Sequence, residues 1–239
     1  MKKMLKKAGE KILDLLYPHT CPFCGEVTER RICRTCAREV WYIREPRCKK
    51  CGKPVRSESS EYCFDCLHTR HFYERGLSLW KHEKQVRTSI YRFKYQNRRI
   101  YSQFYTEELA KKFGKYVVGW RISLIIPIPL SRKRKKQRGF NQADLLAEGL
   151  SQLLGITADT VHLQRTVDTI PQKELGNRER RENLKNAFWW TGKELSGRNV
   201  LLVDDIYTTG NTIDSAARSL KKAGAEKVYF LTISIGQGY

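Results

Sequence analysis

A chain of 239 residues with 40% apolar side chains can bury one sizeable core, or one core and a small appended module. No apolar run approaches the roughly 18 residues that a membrane-spanning helix requires, so no such span is expected. The excess of 46 Lys+Arg over 25 Asp+Glu, a net charge of +21, speaks about partners and not about fold, and it brings nucleic acid forward.

Met1 to Lys7 has the basic start of a secretory leader, but Glu10, Lys11 and Asp14 fall where its apolar segment belongs. Leu5, Ile12, Leu13, Leu15 and Leu16 predict one face of a short helix instead, and a cytoplasmic chain is expected. Eight cysteines follow in four pairs: Cys21-x-x-Cys24, Cys33-x-x-Cys36, Cys48-x-x-Cys51 and Cys63-x-x-Cys66. In a reducing compartment this pattern means metal, not disulfides. Two C-x-x-C turns complete a tetrahedral shell of thiolates, so four pairs predict two structural Zn²⁺ ions and a net charge of roughly +17.

Cys-Pro-Phe-Cys-Gly at 21–25 recurs as Cys-Lys-Lys-Cys-Gly at 48–52, which argues for two consecutive ribbons. One would use Cys21, Cys24, Cys33 and Cys36, the other Cys48, Cys51, Cys63 and Cys66. Interleaved pairing, first with third and second with fourth, fits the same spacings and stays open. Residues 1–75 have too few apolar side chains to fold without metal, so the ions act as staples. His19, His68 and His71 are expected to be exposed bystanders. The expected organisation is a zinc module over 1–73 and a larger domain over 74–239.

The joining region predicts a strand over Gly76 to Trp80 and a helix over Glu83 to Phe93. From Tyr91 to Tyr101 aromatics alternate with cations, a composition suited to single-stranded nucleic acid, with Arg92, Lys94, Arg98 and Arg99 as candidates. The competing reading is a helix with its aromatics packed on a sheet and its arginines in solvent. Ser123 to Ile128 predicts a buried strand ended by Pro127 and Pro129. Leu130 to Gly139 then carries six basic residues in ten, adding Arg134 and Arg138 to the candidates, before a helix from Asn141 or Gln142 to Leu153. Arg178, Arg180 and Arg181 either extend this basic surface or flank a loop over the site. Trp189 and Trp190 end a predicted strand and are expected in the core.

The most informative segment is 199–223. Asn199 to Val203 predicts a central parallel strand covered on both faces, with Asp204 and Asp205 at its carboxyl end. The loop Thr208-Thr209-Gly210-Asn211-Thr212 leads into a helix marked by Ile213, Ala216, Ala217 and Leu220 and stopped at Gly224. Val228 to Ile235 completes a βαβ unit. Ligands of open α/β sheets bind beyond the carboxyl ends of strands, and the loop meets a helix N-terminus, so an anion is expected there. The two aspartates beside it suit vicinal hydroxyls. Phosphate next to a diol is ribose 5-phosphate.

The segment Val200 to Thr212, VLLVDDIYTTGNT, resembles the phosphoribosyl pyrophosphate motif of type I phosphoribosyltransferases. That resemblance implies their α/β fold, a mostly parallel sheet flanked by helices. It implies that Asp204 and Asp205 hold the ribose hydroxyls and 208–212 the 5′-phosphate. It also implies a pyrophosphate loop over Pro129, Leu130, Ser131 and Arg132, and Mg²⁺ accompanying phosphoribosyl pyrophosphate. The 6-oxopurine salvage members carry an aspartate three residues beyond the second acid. Here that residue is Thr208, which disfavours that chemistry.

IIPIPLSRKRKKQRGFNQA from Ile125 to Ala143, Pro171-Gln172 and NRERRENLKNAF (177–188) narrow the resemblance to the ComF family of competence-associated proteins. It implies a double zinc ribbon followed by a phosphoribosyltransferase-like domain. It further implies a cytoplasmic role in natural transformation with incoming single-stranded DNA, and competence DNA-uptake proteins as partners. The alternatives are a phosphoribosyltransferase of nucleotide metabolism, or a nucleotide-sensing DNA-binding regulator.

Overall fold

The computed structural model describes residues 19–165 and 187–236. The expected N-terminal helix, Pro171-Gln172, and Arg178, Arg180 and Arg181 lie outside them. Four strands form one parallel sheet: β1 (Arg75–Lys81), β2 (Ile122–Pro127), β5 (Asn199–Tyr207) and β6 (Lys227–Ile235), in the spatial order β1-β6-β5-β2. Two short strands, β3 (Leu163–Arg165) and β4 (Phe188–Trp190), pair antiparallel beside it.

β5 is central because its apolar run suits both faces of a sheet. Leu201 and Val203 join one buried cluster, Val200 and Leu202 the other, as the two-residue period of a strand dictates. β6 divides likewise, with Tyr229, Leu231 and Ile233 on the first face and Val228 and Phe230 on the second. The first face is covered by α3 (Lys84–Tyr95), α4 (Tyr101–Gly119) and α6 (Gln142–Leu154). The second is covered by α7 (Asn211–Lys222), whose Ile213, Ala216, Ala217 and Leu220 are buried at helical spacing. Side chains such as Leu109 and Phe113 are almost wholly removed from water, each contributing about 1.5–3 kcal/mol.

The zinc module is built into the same core. It carries the short helices α1 (Arg34–Glu39) and α2 (Phe64–His68). Cys21, Phe23 and Cys36 share the first cluster, where Phe23 meets Trp80 and Phe104 edge-on at 5.4 and 5.7 Å. Cys48, Cys51 and Tyr73 share the second, on the opposite side of the sheet. Gly76 permits this close fit: a Cβ there would lie 2.0 Å from the Phe230 ring, which packs against Tyr73 and Tyr207.

Besides the two short helices of the zinc module, two longer ones were not anticipated. α4 buries Tyr101, Phe104, Tyr105, Leu109, Phe113 and Val117, a helical spacing that the preceding basic-aromatic run obscured. α5 (Arg132–Arg138) occupies the basic run itself. It is held by its ends: Ser131 Oγ accepts from the Arg134 amide at 3.4 Å, and Gly139 closes it at φ +75°. The expected burial of Trp189 is corrected: its side chain is 63% exposed, while Trp190 packs partly against the second cluster. Strand alternation puts neighbouring tryptophans on opposite faces.

Candidate functional site

The eight cysteines gather as two consecutive quartets, Cys21, Cys24, Cys33 and Cys36, then Cys48, Cys51, Cys63 and Cys66, each with its sulfurs within 4.8 Å of one another. The interleaved alternative is thereby excluded. All eight thiols are free of disulfides. A tetrahedron with Zn–S bonds of about 2.3 Å has edges of about 3.8 Å. Cys24 Sγ lies 3.7 Å from Cys33 Sγ, and Cys51 Sγ lies 3.6 Å from Cys63 Sγ, so the donor sets fit structural zinc.

The repeated knuckle has one geometry in both ribbons. Gly25 N–H donates to Cys21 O at 2.8 Å and Gly52 N–H to Cys48 O at 3.0 Å, with φ +86° and +76°. His19 and His68 are exposed as expected. His71 is not. Its side chain is 3% exposed, stacked on Tyr73 at 4.6 Å, with Nδ1 3.4 Å from Asp214 Oδ1. Tyr73 supplies an apolar platform between ribbon and sheet, and the imidazole covers it.

β5 runs on to Tyr207, so Asp204 and Asp205 lie within its carboxyl-terminal part and not just past an end at Val203 as expected. Asp205 is buried and Asp204 partly so, with Asp204 Oδ1 accepting from the Asp205 amide at 2.8 Å. Burial and the Asp205 charge push the Asp204 carboxyl up to about 7, while Lys94 pulls it down. The loop beyond Tyr207 turns at Gly210, φ +83°, where a Cβ would lie 2.4 Å from Tyr207 Oη. The Tyr207 hydroxyl is itself hydrogen-bonded to that of Tyr73 at 2.8 Å. Thr208 and Thr209 are exposed, Asn211 and Thr212 half-buried, and α7 starts at Asn211 with no side-chain cap on its first amides. Asp214 Oδ1, in the first turn of α7, accepts from the Phe72 amide at 2.6 Å, tying the second ribbon to this helix.

The segment Pro129 to Arg132 follows β2, which pairs with β5 up to Pro127 opposite Val203, so it borders the aspartates' end of the sheet. Ile128 N–H donates to Val203 O at 2.9 Å. Pro129, Leu130 and Ser131 are half-buried and Arg132 is exposed. The word Arg138 to Gln142 proves to be a structural knot beside it. Asn141 caps α6 by accepting from the Ala143 amide at 3.3 Å, and its Nδ2 donates to Ile128 O at 3.1 Å. Phe140 is buried, and Arg138 Nη1 donates to Gln142 Oε1 at 2.9 Å. Asp144, which accepts from Asn141 Nδ2 at 2.6 Å, is pushed up to about 6 by burial.

The nucleic-acid candidates divide. Arg98, Arg99 and Arg134 are exposed. Arg138 lies over Tyr95 at 4.8 Å and donates to its hydroxyl at 2.9 Å. Tyr91 and Tyr95 are both exposed, with ring centroids 5.0 Å apart. Arg92 instead turns to the first ribbon, where its Nη1 donates to Phe23 O at 3.3 Å. Lys94 instead reaches the sheet, its Nζ 2.8 Å from Asp205 Oδ1, with side chains only 14% and 10% exposed. No sequence signal connects residues 94 and 205; only the packing of α3 across the sheet does. Among the described residues no helix is long and apolar enough to cross a membrane.

Comparisons with known proteins follow this architecture. Residues 12–67 match the double zinc ribbon domain family and residues 137–234 the phosphoribosyl transferase domain family. The chain is 31% identical to competence protein F of Haemophilus influenzae over 212 residues, 84% of this chain and 89% of that protein. It is 31% identical to DNA utilization protein YhgH of Salmonella typhimurium over 220 residues, 90% and 96% of the two chains. With competence protein ComFC of Bacillus subtilis the identity is 26% over 204 residues, 82% and 80% of the two.

Proposed function

The chain belongs to the competence protein F family, and from that premise we propose that it binds phosphoribosyl pyrophosphate, or a related ribose 5-phosphate, at the mouth of β5 and handles incoming single-stranded DNA in the cytoplasm during natural transformation. One observation carries the first half. Asp204 and Asp205 stand beside a threonine-rich loop whose helix begins with uncapped amides. Carboxylates accept from the 2′- and 3′-hydroxyls, while the amides and threonine hydroxyls of 208–212 take the 5′-phosphate. The segment 129–132 borders the place of the pyrophosphate. Since Asp205 is already paired with Lys94, Mg²⁺ would ride mainly on the oxygens of the ligand and neutralise the leaving pyrophosphate.

The second half rests on the names of the relatives and on one basic face. Exposed Tyr91 and Tyr95 offer rings for bases, and Arg98, Arg99, Arg134 and Arg138 with the rest of α5 offer charge for phosphates. DNA-uptake proteins of the competence machinery are the partners this reading implies. Titration calorimetry with phosphoribosyl pyrophosphate and Mg²⁺ tests the site: the native chain binds and Asp204→Ala/Asp205→Ala does not. Labelled single-stranded DNA tests the face. Its affinity falls steeply between about 50 and 200 mM salt, with a slope of about 4–8 phosphates, and charge reversal at Arg134 and Arg138 lowers that slope by about 1 each. No binding at low salt would sink the DNA role.

A further inference from the structure

Lys94 sits in the last turn of α3, where a lysine ordinarily reaches into solvent and favours the helix dipole. Here it is largely buried and bonded to one of the two acids of the site. Resting on the reading of that site as a ribose phosphate pocket, we propose that Lys94 is its positioning cation: the ammonium fixes Asp205 through Oδ1, leaving Oδ2 for a ribose hydroxyl, and offsets the negative charge gathered at the acid pair.

Two neighbouring carboxylates in a poorly hydrated place resist carrying two charges. A protonated carboxyl accepts more weakly from a sugar hydroxyl than a carboxylate does. Lys94 is bonded directly to Asp205. Asp204 feels Asp205, Lys94 and, from β3, Arg165. Asp205 also faces Tyr105 of α4, whose hydroxyl is bonded to Ser89 at 2.5 Å, and His82, which follows β1. His82 is held toward its neutral form by burial, by Lys94 and by Arg87, with Asp205 opposing, and its Nδ1 lies 3.0 Å from Ser234 Oγ. A neutral imidazole supplies no charge to the acids. Lys94 makes the direct contact.

The test uses the zinc-loaded full chain with ribose 5-phosphate, titrated calorimetrically from pH 6 to 9. Lys94→Met is expected to bind about tenfold or more weakly at pH 7, with the pH midpoint of binding raised by about one unit or more. Lys94→Arg restores most of the affinity, and Lys94→Met/Asp205→Asn binds no worse than Asp205→Asn alone. Equal or tighter binding by Lys94→Met, or an unmoved midpoint, overturns the proposal. Should Lys94→Met fail to fold, Lys94→Arg decides, because a retained charge must retain the midpoint. Carboxyl ¹³C titration of the ligand-free protein separates this idea from the ribose phosphate reading. Failure of the native chain to bind sinks that reading alone, whereas an Asp204 midpoint that does not rise in Lys94→Met sinks the role of Lys94.

Discussion

Replacing Asp204 by asparagine should make the ligand-free protein more stable while abolishing sugar phosphate binding. The carboxyl is raised from its ordinary 3.8 to about 7, first by burial and then by Asp205. A group raised in this way contributes stability that is full below about 4 and is lost as pH climbs through about 7. At about 1.4 kcal/mol per pH unit, the ionised side chain costs the fold at most about 4 kcal/mol, and relaxation of the surroundings lowers this to roughly 2–3 kcal/mol. Asparagine keeps the shape and an oxygen for the Asp205 amide. The advantage of Asp204→Asn over the native chain in urea denaturation, at fixed free zinc, should therefore grow by about 2 kcal/mol between pH 5 and 8 and level off above about 7. Taking the difference at each pH cancels the acid sensitivity of the zinc thiolates. A difference that is flat with pH, or a variant less stable at pH 8, would refute the account of the buried pair.

Gly210→Ala places a Cβ against the Tyr207 hydroxyl at a φ that alanine disfavours, and should cost about 1–3 kcal/mol in thermal denaturation while weakening phosphoribosyl pyrophosphate binding measured by calorimetry. Stripping the protein with a chromophoric chelator should release two zinc ions per chain and abolish the near-ultraviolet circular dichroism of the packed Phe23–Trp80–Phe104 group; release of one ion would contradict the two quartets.

Much of this was legible because some signals are local. The acids, the loop and the helix of 199–223 are contiguous in sequence, and their chemistry depends on little else. C-x-x-C spacing likewise announces zinc, yet says nothing about which turns share an ion. That needed the distances between sulfurs. Lys94 and Arg92 were grouped with their exposed neighbours because composition does not record direction: within one turn of α3, Tyr91 faces water, Arg92 the first ribbon, Phe93 the core and Lys94 the acids. His71 was misjudged for a related reason, since a lone histidine after a cysteine module gives no hint of the tyrosine it will cover. α5 was hidden by mutual repulsion in its sequence, and only its two caps, Ser131 and Gly139, betray it.

The two ribbons grip the sheet from opposite sides, Phe23 against one surface and Tyr73 against the other. A chain trimmed at the start of β1 is therefore no smaller version of this protein. It would lose a wall from each side at once, leaving Trp80 and Phe104 bare on one side and Tyr207 and Phe230 on the other. The cysteines are less a leading appendage than a clasp, and whatever loosens their metal loosens the bed on which the phosphate loop lies.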